Sequence, residues 1–183
     1  MVNARPPAPM TMNTVYPAID IIHAIWKALG QAAPGRACAG WGKSVYGSSS
    51  GPRPDGSTFV MYHWHGHSGG GAIQGRDGFA QIGHLQSLGG LVLPNVEAHE
   101  RAYPVRIRKH ELRCDAGGPG EFRGGPSVDY VCEVFAPHEH SIRSEGSRRP
   151  TGFGAAGGRE GLKGSMIVHE AGKPPRLAPQ YAV

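Results

Sequence analysis

Cysteine is scarce: Cys38, Cys114 and Cys132 are the only three in 183 residues, an odd number without CxxC spacing. This excludes a disulfide-stapled scaffold and a zinc finger built on four cysteines, and leaves three reduced thiols read as small buried residues. No apolar run is long enough for a membrane span and none resembles a leader, so a soluble, cytoplasmic protein is expected. The spacings of familiar catalytic centres are also missing: there is no HExxH, and no Ser-His-Asp or Cys-His arrangement can be read. Gly42-Lys43-Ser44 lacks the glycine a phosphate loop needs five residues earlier, where Ala37 stands, and VYGSSSGPRP follows it instead of a helix. Positive charge is modest and dispersed. The net +5 is spread from Arg5 to Arg176, with one local group, Arg106, Arg108 and Lys109, that alternates as a solvated strand face would. Neither a nucleic acid nor a membrane is expected as a partner.

What is abundant is glycine and proline, 29 and 16 residues. Such a composition belongs to an irregular, turn-rich scaffold, and the length fits a single domain. Residues 1–12 read as a flexible arm and 13–183 as a single domain or a fragment of a larger one. Between Pro17 and Gly30, Ile22, Ile25, Trp26 and Leu29 recur at helical spacing with Asp20, His23 and Lys27 opposite, which predicts one amphipathic helix. The Gly- and Ser-dominated stretch Gly35 to Gly56 reads as a loop with room for one short strand. Ser57 to His65 alternates, Thr58, Val60, Tyr62 and Trp64 against Phe59, Met61, His63 and His65, and predicts a strand buried on both faces. Further strands are expected over Tyr103–Arg113, Val128–Phe135, His140–Ser144 and Ser165–His169. The fold class is therefore α+β, predominantly β, with one N-terminal helix and several short strands joined by Gly-rich turns.

The richest chemistry lies in YHWHGHSGGGAIQGRD. His63 and His65 leave one face of a strand roughly 6.5–7 Å apart, compatible with a shared metal ion and equally with packing inside a polar interface. Gly69, Gly70 and Gly71 offer amides that can wrap an anion or a carbonyl oxygen, or form a tight crossover, beside the charge pair Arg76 and Asp77. These seven residues are the candidate site. His138 and His140 would share a face in a strand, but Pro137 favours a turn there.

The run LPNVEAHERAYPVRIRKHELRCDAGGPGEFRGG, Leu93 to Gly125, resembles the hydantoinase B family of N-methylhydantoinase, 5-oxoprolinase, caprolactamase and acetone or acetophenone carboxylase subunits. The motifs that carry the resemblance are Glu97 and Glu100 before Tyr103-Pro104, then Glu111-Leu112-Arg113, Gly117-Gly118-Pro119-Gly120 and Arg123-Gly124-Gly125, with Ala116 where Ser is usual. Weaker likeness runs through GGGAIQGRDG and SEGSRRPTGFGAAGG. The resemblance implies the C-terminal region of a larger hydantoinase B fold, expected to act as a small subunit of a split enzyme. It implies an ATP-dependent ketone carboxylase, slightly preferred, or a cyclic-amide hydrolase, in which a carbonyl oxygen is phosphorylated on a hydantoinase A type partner. ATP and Mg would sit on that partner, larger hydantoinase B type chains would complete the assembly, and a divalent Zn or Mn would belong to the complex. A small subunit of purely architectural role, and a free-standing zinc module built on the histidines, are the competing expectations.

Overall fold

The computed structural model describes residue 7, residues 16–83, residue 85, residues 92–179 and residues 181–182. The arm expected over residues 1–12 thus lies, apart from residue 7, outside the described residues. Helix α1, Tyr16–Ala32, is followed by a 3-10 turn at Pro34–Arg36. Strands β1, Val45–Pro52, and β2, Thr58–Tyr62, precede a second helix, α2, Val96–Ala102. Then come β3, Val105–Leu112, β4, Val128–Val134, and β5, Glu139–Ser144, and the short strands β6, Ile167–Val168, β7, Arg176–Leu177, and β8, Tyr181–Ala182. This is the β-predominant α+β class that the sequence implies.

The main sheet runs β2-β1-β5-β8, antiparallel throughout. β1 is its centre although its sequence, VYGSSSGP, shows no hydrophobic alternation. Cross-strand geometry explains the choice of small residues: a side chain at Gly47 would overlap the Ser141 carbonyl, and one at Gly51 the Pro137 carbonyl. Antiparallel register sets Ser49 opposite Met61 of β2 on one side and His140 of β5 on the other.

β2 is buried on one face only, which corrects the two-faced expectation. Phe59, Met61, His63 and His65 are buried, whereas Val60, Tyr62 and Trp64 are exposed. The inward face packs Phe59 and Met61 on Val105 of β3, with Tyr103, Cys132, Val134 and Ala136 around them. β3 and β4 form an antiparallel pair with a bulge between Ile107 and Lys109. On its outer side Arg108 pairs with Glu133 at 2.6 Å and Lys109 with Asp129 at 3.1 Å, so the basic group faces β4 carboxylates across a solvated ladder.

The helix α1 forms where expected, but its buried stripe is rotated. Ile19 and His23 are buried and Trp26 is half-buried, while Ile25 and Leu29 stand exposed at 50% and 60%. The polar anchor of this helix is the reason. His23 Nε2 accepts the Trp41 amide at 3.1 Å, and Asp20 reaches the buried Lys43 ammonium at 2.8 Å. α2 falls in a stretch without predicted structure. It starts on Asn95, whose side chain accepts the Ala98 amide, and ends before Tyr103-Pro104. Its Glu100 carboxylate accepts the Ile107 amide at 2.7 Å, which gives the acidic residue ahead of Tyr-Pro a structural task.

The glycine clusters do not serve mainly as turns. Gly117, Gly118, Gly124 and Gly125 have ordinary backbone angles, and in this run only Asp115 has positive φ. Their purpose is close approach of one chain segment to another. A Cβ at Gly69 would overlap the Gly125 carbonyl, one at Gly125 the Phe79 carbonyl and one at Gly117 the Gly124 carbonyl. Backbone bonds stitch the layers: Gly70 N to Phe79 O, Gly125 N to Gly70 O, Gly78 N to Arg123 O and Gly42 N to Gly69 O. The cysteines are free, with Cys38 and Cys132 half-buried and Cys114 exposed, so burial does not extend to all three.

Candidate functional site: a histidine cluster beside a glycine-walled cleft

The stacked glycine segments and the strand β4 border an open cleft of about 1660 Å³. Lys43, His63, the Gly69–Gly71 run, the Gly117–Gly120 run, Tyr130 and His140 are among its lining residues. The glycine runs form one part of the wall, where backbone packs closely and offers amides and carbonyls in fixed directions, and side chains such as Arg108, Arg113, Phe153 and Arg159 form much of the rest.

Behind the cleft the alternation of β2 delivers His63 and His65 to the inner face, and distant segments add four further imidazoles. Ser49 Oγ lies 2.8 Å from His63 Nε2 and 2.8 Å from His140 Nδ1. His63 Nδ1 is 3.3 Å from the Tyr130 hydroxyl. His65 stacks on the Tyr130 ring at 5.3 Å, with His99 and His110 edge-on at 5.2 Å each. His110 Nε2 accepts from the Gln81 amide at 2.7 Å, and His67 Nδ1 is 3.4 Å from Ser44 Oγ.

His63, His65, His99 and His140 are held neutral near pH 7. Burial pushes His63 down to about 3, and the nearby His140, His99, His138 and His65 act in the same direction. Burial also pushes His65 down to about 4, aided by His99 and His110, while the Pro94 backbone pulls weakly the other way without a well-formed hydrogen bond. His99 and His140 are lowered by the same cause, and the Tyr130 hydroxyl is pushed up by burial. The cluster accordingly offers neutral donors and acceptors for general acid–base work, not a fixed positive charge.

The sequence-predicted residues are only partly brought together. His63 reaches the cleft. His65 lies one layer behind it, and its two ring nitrogens have no hydrogen-bond partner among the described residues. Gly69, Gly70 and Gly71 line the cleft, but the Gly70 amide is spent on the Phe79 carbonyl, and a side chain at Gly71 would meet the Ala39 carbonyl. Arg76 and Asp77 are exposed on the Ile73–Arg76 turn and do not line the cleft. Arg76 lies 4.7 Å over the Phe79 ring, and the Asp77 carboxylate accepts the Arg123 amide at 2.7 Å.

A metal on His63 does not fit this arrangement. Both of its nitrogens are engaged, with Ser49 and with Tyr130, and among the described residues no three His, Cys, Asp or Glu side chains converge as a ligand set. His140 opens the strand expected over His140–Ser144, which begins at Glu139 despite the turn that Pro137 favours, and it faces His63 with ring centroids 4.9 Å apart. Ser49, Tyr130, His99 and His110 were not among the candidates. Cross-strand register joins them, and no spacing within one segment announces it.

Comparison with known proteins identifies the family. The family model for hydantoinase B/oxoprolinase matches residues 1–181, and the chain belongs to that family. It is 36% identical over 177 residues to the caprolactamase subunit beta of Pseudomonas jessenii, covering 91% of this chain and 30% of that protein. A protein of Methanocaldococcus jannaschii without an assigned activity is 30% identical, covering 94% of this chain and 29% of its own length. Among solved structures, nucleotide-free acetone carboxylase aligns with a TM-score of 0.59 at 20% identity, covering 68% of this chain and 16% of that one, a likeness of fold. The chain thus spans about a third of the length of the curated relatives it matches.

Proposed function

We propose that this chain supplies the glycine-walled cleft and its histidine cluster to an ATP-dependent cyclic-amide hydrolase of the hydantoinase B type. The observation that carries the reading is a cleft with glycine runs in its wall, flanked by the buried, neutral imidazoles of His63 and His140. Opening a lactam moves a proton from an attacking water toward a leaving nitrogen, and a neutral imidazole can take up a proton on one nitrogen while releasing the one on its other nitrogen, so that no buried charge is left. The likeness to a caprolactamase subunit beta across most of the chain favours a lactam over a ketone. ATP and Mg would be held by a hydantoinase A type partner, where the carbonyl oxygen is phosphorylated before attack. Further hydantoinase B type chain would cover the apolar surfaces left open here, which include Ile21, Ile25 and Leu29 of α1 and Val60 and Tyr62 of β2.

The test is to purify the assembly with the chains that accompany it. It is incubated with ATP and either a lactam or a ketone plus bicarbonate, and ADP and product are followed. Lactam-dependent ADP release with ring opening is expected. Turnover only with ketone and bicarbonate would move the chain to the carboxylase branch, the second reading that the fold of acetone carboxylase keeps open. The architectural alternative predicts near-normal turnover in His63→Ala, and a fall of about a hundredfold, roughly 2.7 kcal/mol of barrier, would exclude it.

A further inference from the structure

Ser49 is fully buried at the centre of the main sheet, and its hydroxyl touches two imidazoles at the same 2.8 Å. A hydroxyl carries one proton, so it donates to one ring and accepts from the other. With both rings neutral, this fixes their tautomers jointly. Ser49 meets Nε2 of His63 but Nδ1 of His140, so the two rings carry their protons on the same-named nitrogen, either both on Nε2 or both on Nδ1. In the first arrangement the Tyr130 hydroxyl donates to His63 Nδ1, and His140 presents a bare Nδ1 to the Ser49 proton and an Nε2–H on its far side, with His63 Nε2–H donating to Ser49. In the second, His63 Nδ1–H donates to Tyr130, and His140 presents a bare Nε2.

We propose that Tyr130, His63, Ser49 and His140 form a neutral proton relay whose two ends, Tyr130 and His140, open on the glycine-walled cleft, with His140 as its acid–base group. Both end residues line that cleft. In the forward step a proton leaves a substrate or water O–H, N–H or C–H for His140 Nε2. The Nδ1 proton of His140 passes to Ser49 Oγ, and the Ser49 proton passes to His63 Nε2. The Nδ1 proton of His63 then moves to Tyr130 Oη, whose own proton goes to water or a substrate heteroatom in the cleft. Each relay member gains one proton and loses one, so no imidazolium is left in a site where burial opposes it. The groups packed against the relay are consistent with a neutral path. His65 stacks on Tyr130, His138 lies 6.4 Å from His140, and Cys132, itself raised by burial, adjoins Tyr130.

The assignment of His140 to catalysis rests on the functional reading above, whereas the tautomer coupling does not. The assembly carrying the full chain labelled with 15N-histidine is observed at pH 7.5 by two-bond proton–nitrogen correlation. Neutral rings of like tautomer at His63 and His140 are expected. Opposite tautomers, or an imidazolium at either position, would overturn the relay. In turnover assays His140→Gln should lower kcat about a hundredfold with KM within about twofold. Ser49→Ala should lower it about tenfold and free the two tautomers from each other. An unchanged kcat in His140→Gln would remove His140 from the chemistry. If the wild-type assembly turns over neither lactam nor ketone, the functional reading fails while the tautomer measurement still decides the relay.

Discussion

Lys43 shows how a single side chain ties three parts of the chain together. Its ammonium group, only 6% exposed, pairs with Asp20 of α1 and, at 3.5 Å, with Glu145 just beyond β5, and its amide donates to Thr151 Oγ1 at 2.7 Å. Removing the cation would take from Glu145, 17% exposed, the ammonium group 3.5 Å away. Lys43→Met should cost about 2 kcal/mol of unfolding free energy, less than for a fully buried pair because Asp20 is largely solvated. Urea midpoints check this, and a shift worth less than about 0.5 kcal/mol would mean that solvent screens the group. At this scale the sequence pointed to two of the clustered imidazoles. His63 and His65 could be found because strand alternation is local, whereas Ser49, Tyr130 and His140 are joined to them by pairings that span 14, 67 and 77 positions.

Among the elements, those with a side-chain period were legible and those without one were not. β2, β3 and β4 show alternation and appear where expected. β1 is built of Gly and Ser because neighbouring carbonyls crowd it, and a strand chosen for absent side chains has no pattern to read. α2 has seven residues, too few for a helical stripe to stand out, although Asn95 marked its start. The buried face of α1 could not be read correctly because His23 and Asp20 are held by Trp41 and Lys43, contacts that outweigh exposure of Ile25 and Leu29. The glycine layers can be tested within one tripeptide. Gly69→Ala drives a methyl into the Gly125 carbonyl and should cost about 3 kcal/mol or more. Gly70→Ala meets the Ile82 Cγ2 methyl at 3.3 Å, the Trp41 ring at 3.5 Å and the Phe79 nitrogen at 3.6 Å, contacts without overlap, and should cost about 1 kcal/mol. Thermal melts of the two variants that coincide would show that the layers do not depend on close backbone contact.

For the molecule as a whole, the buried histidines make stability depend on pH in a definite sense. His23, His63 and His65 are pushed from an ordinary 6.5 to about 4, 3 and 4, so the unfolded chain takes up protons that the native chain refuses. Their contribution is fully present above about pH 6.5 and is lost as pH falls toward 4 and then 3. Unfolding free energy should decline by more than one proton's worth per pH unit between about pH 6 and 4.5, and a flat profile there would contradict neutral burial. The exposed apolar residues of α1 and β2 predict a second behaviour: expressed alone, the chain should self-associate on size exclusion. A monomer with a cooperative melt would argue against a large missing contact.

The glycine-built wall also limits how such a cleft can diversify. At positions such as Gly69, Gly71, Gly117 and Gly125 even a methyl group collides with the next layer, so these positions are closed to exchange. Under the proposed function, divergence in substrate choice then falls to the side chains that share the lining with the glycines, such as Lys43, Arg113, His138, Phe153 and Arg159. A library randomised at those five positions should yield altered ring-size or polarity preferences, while the glycine floor behaves as a fixed template on which new specificities are cast.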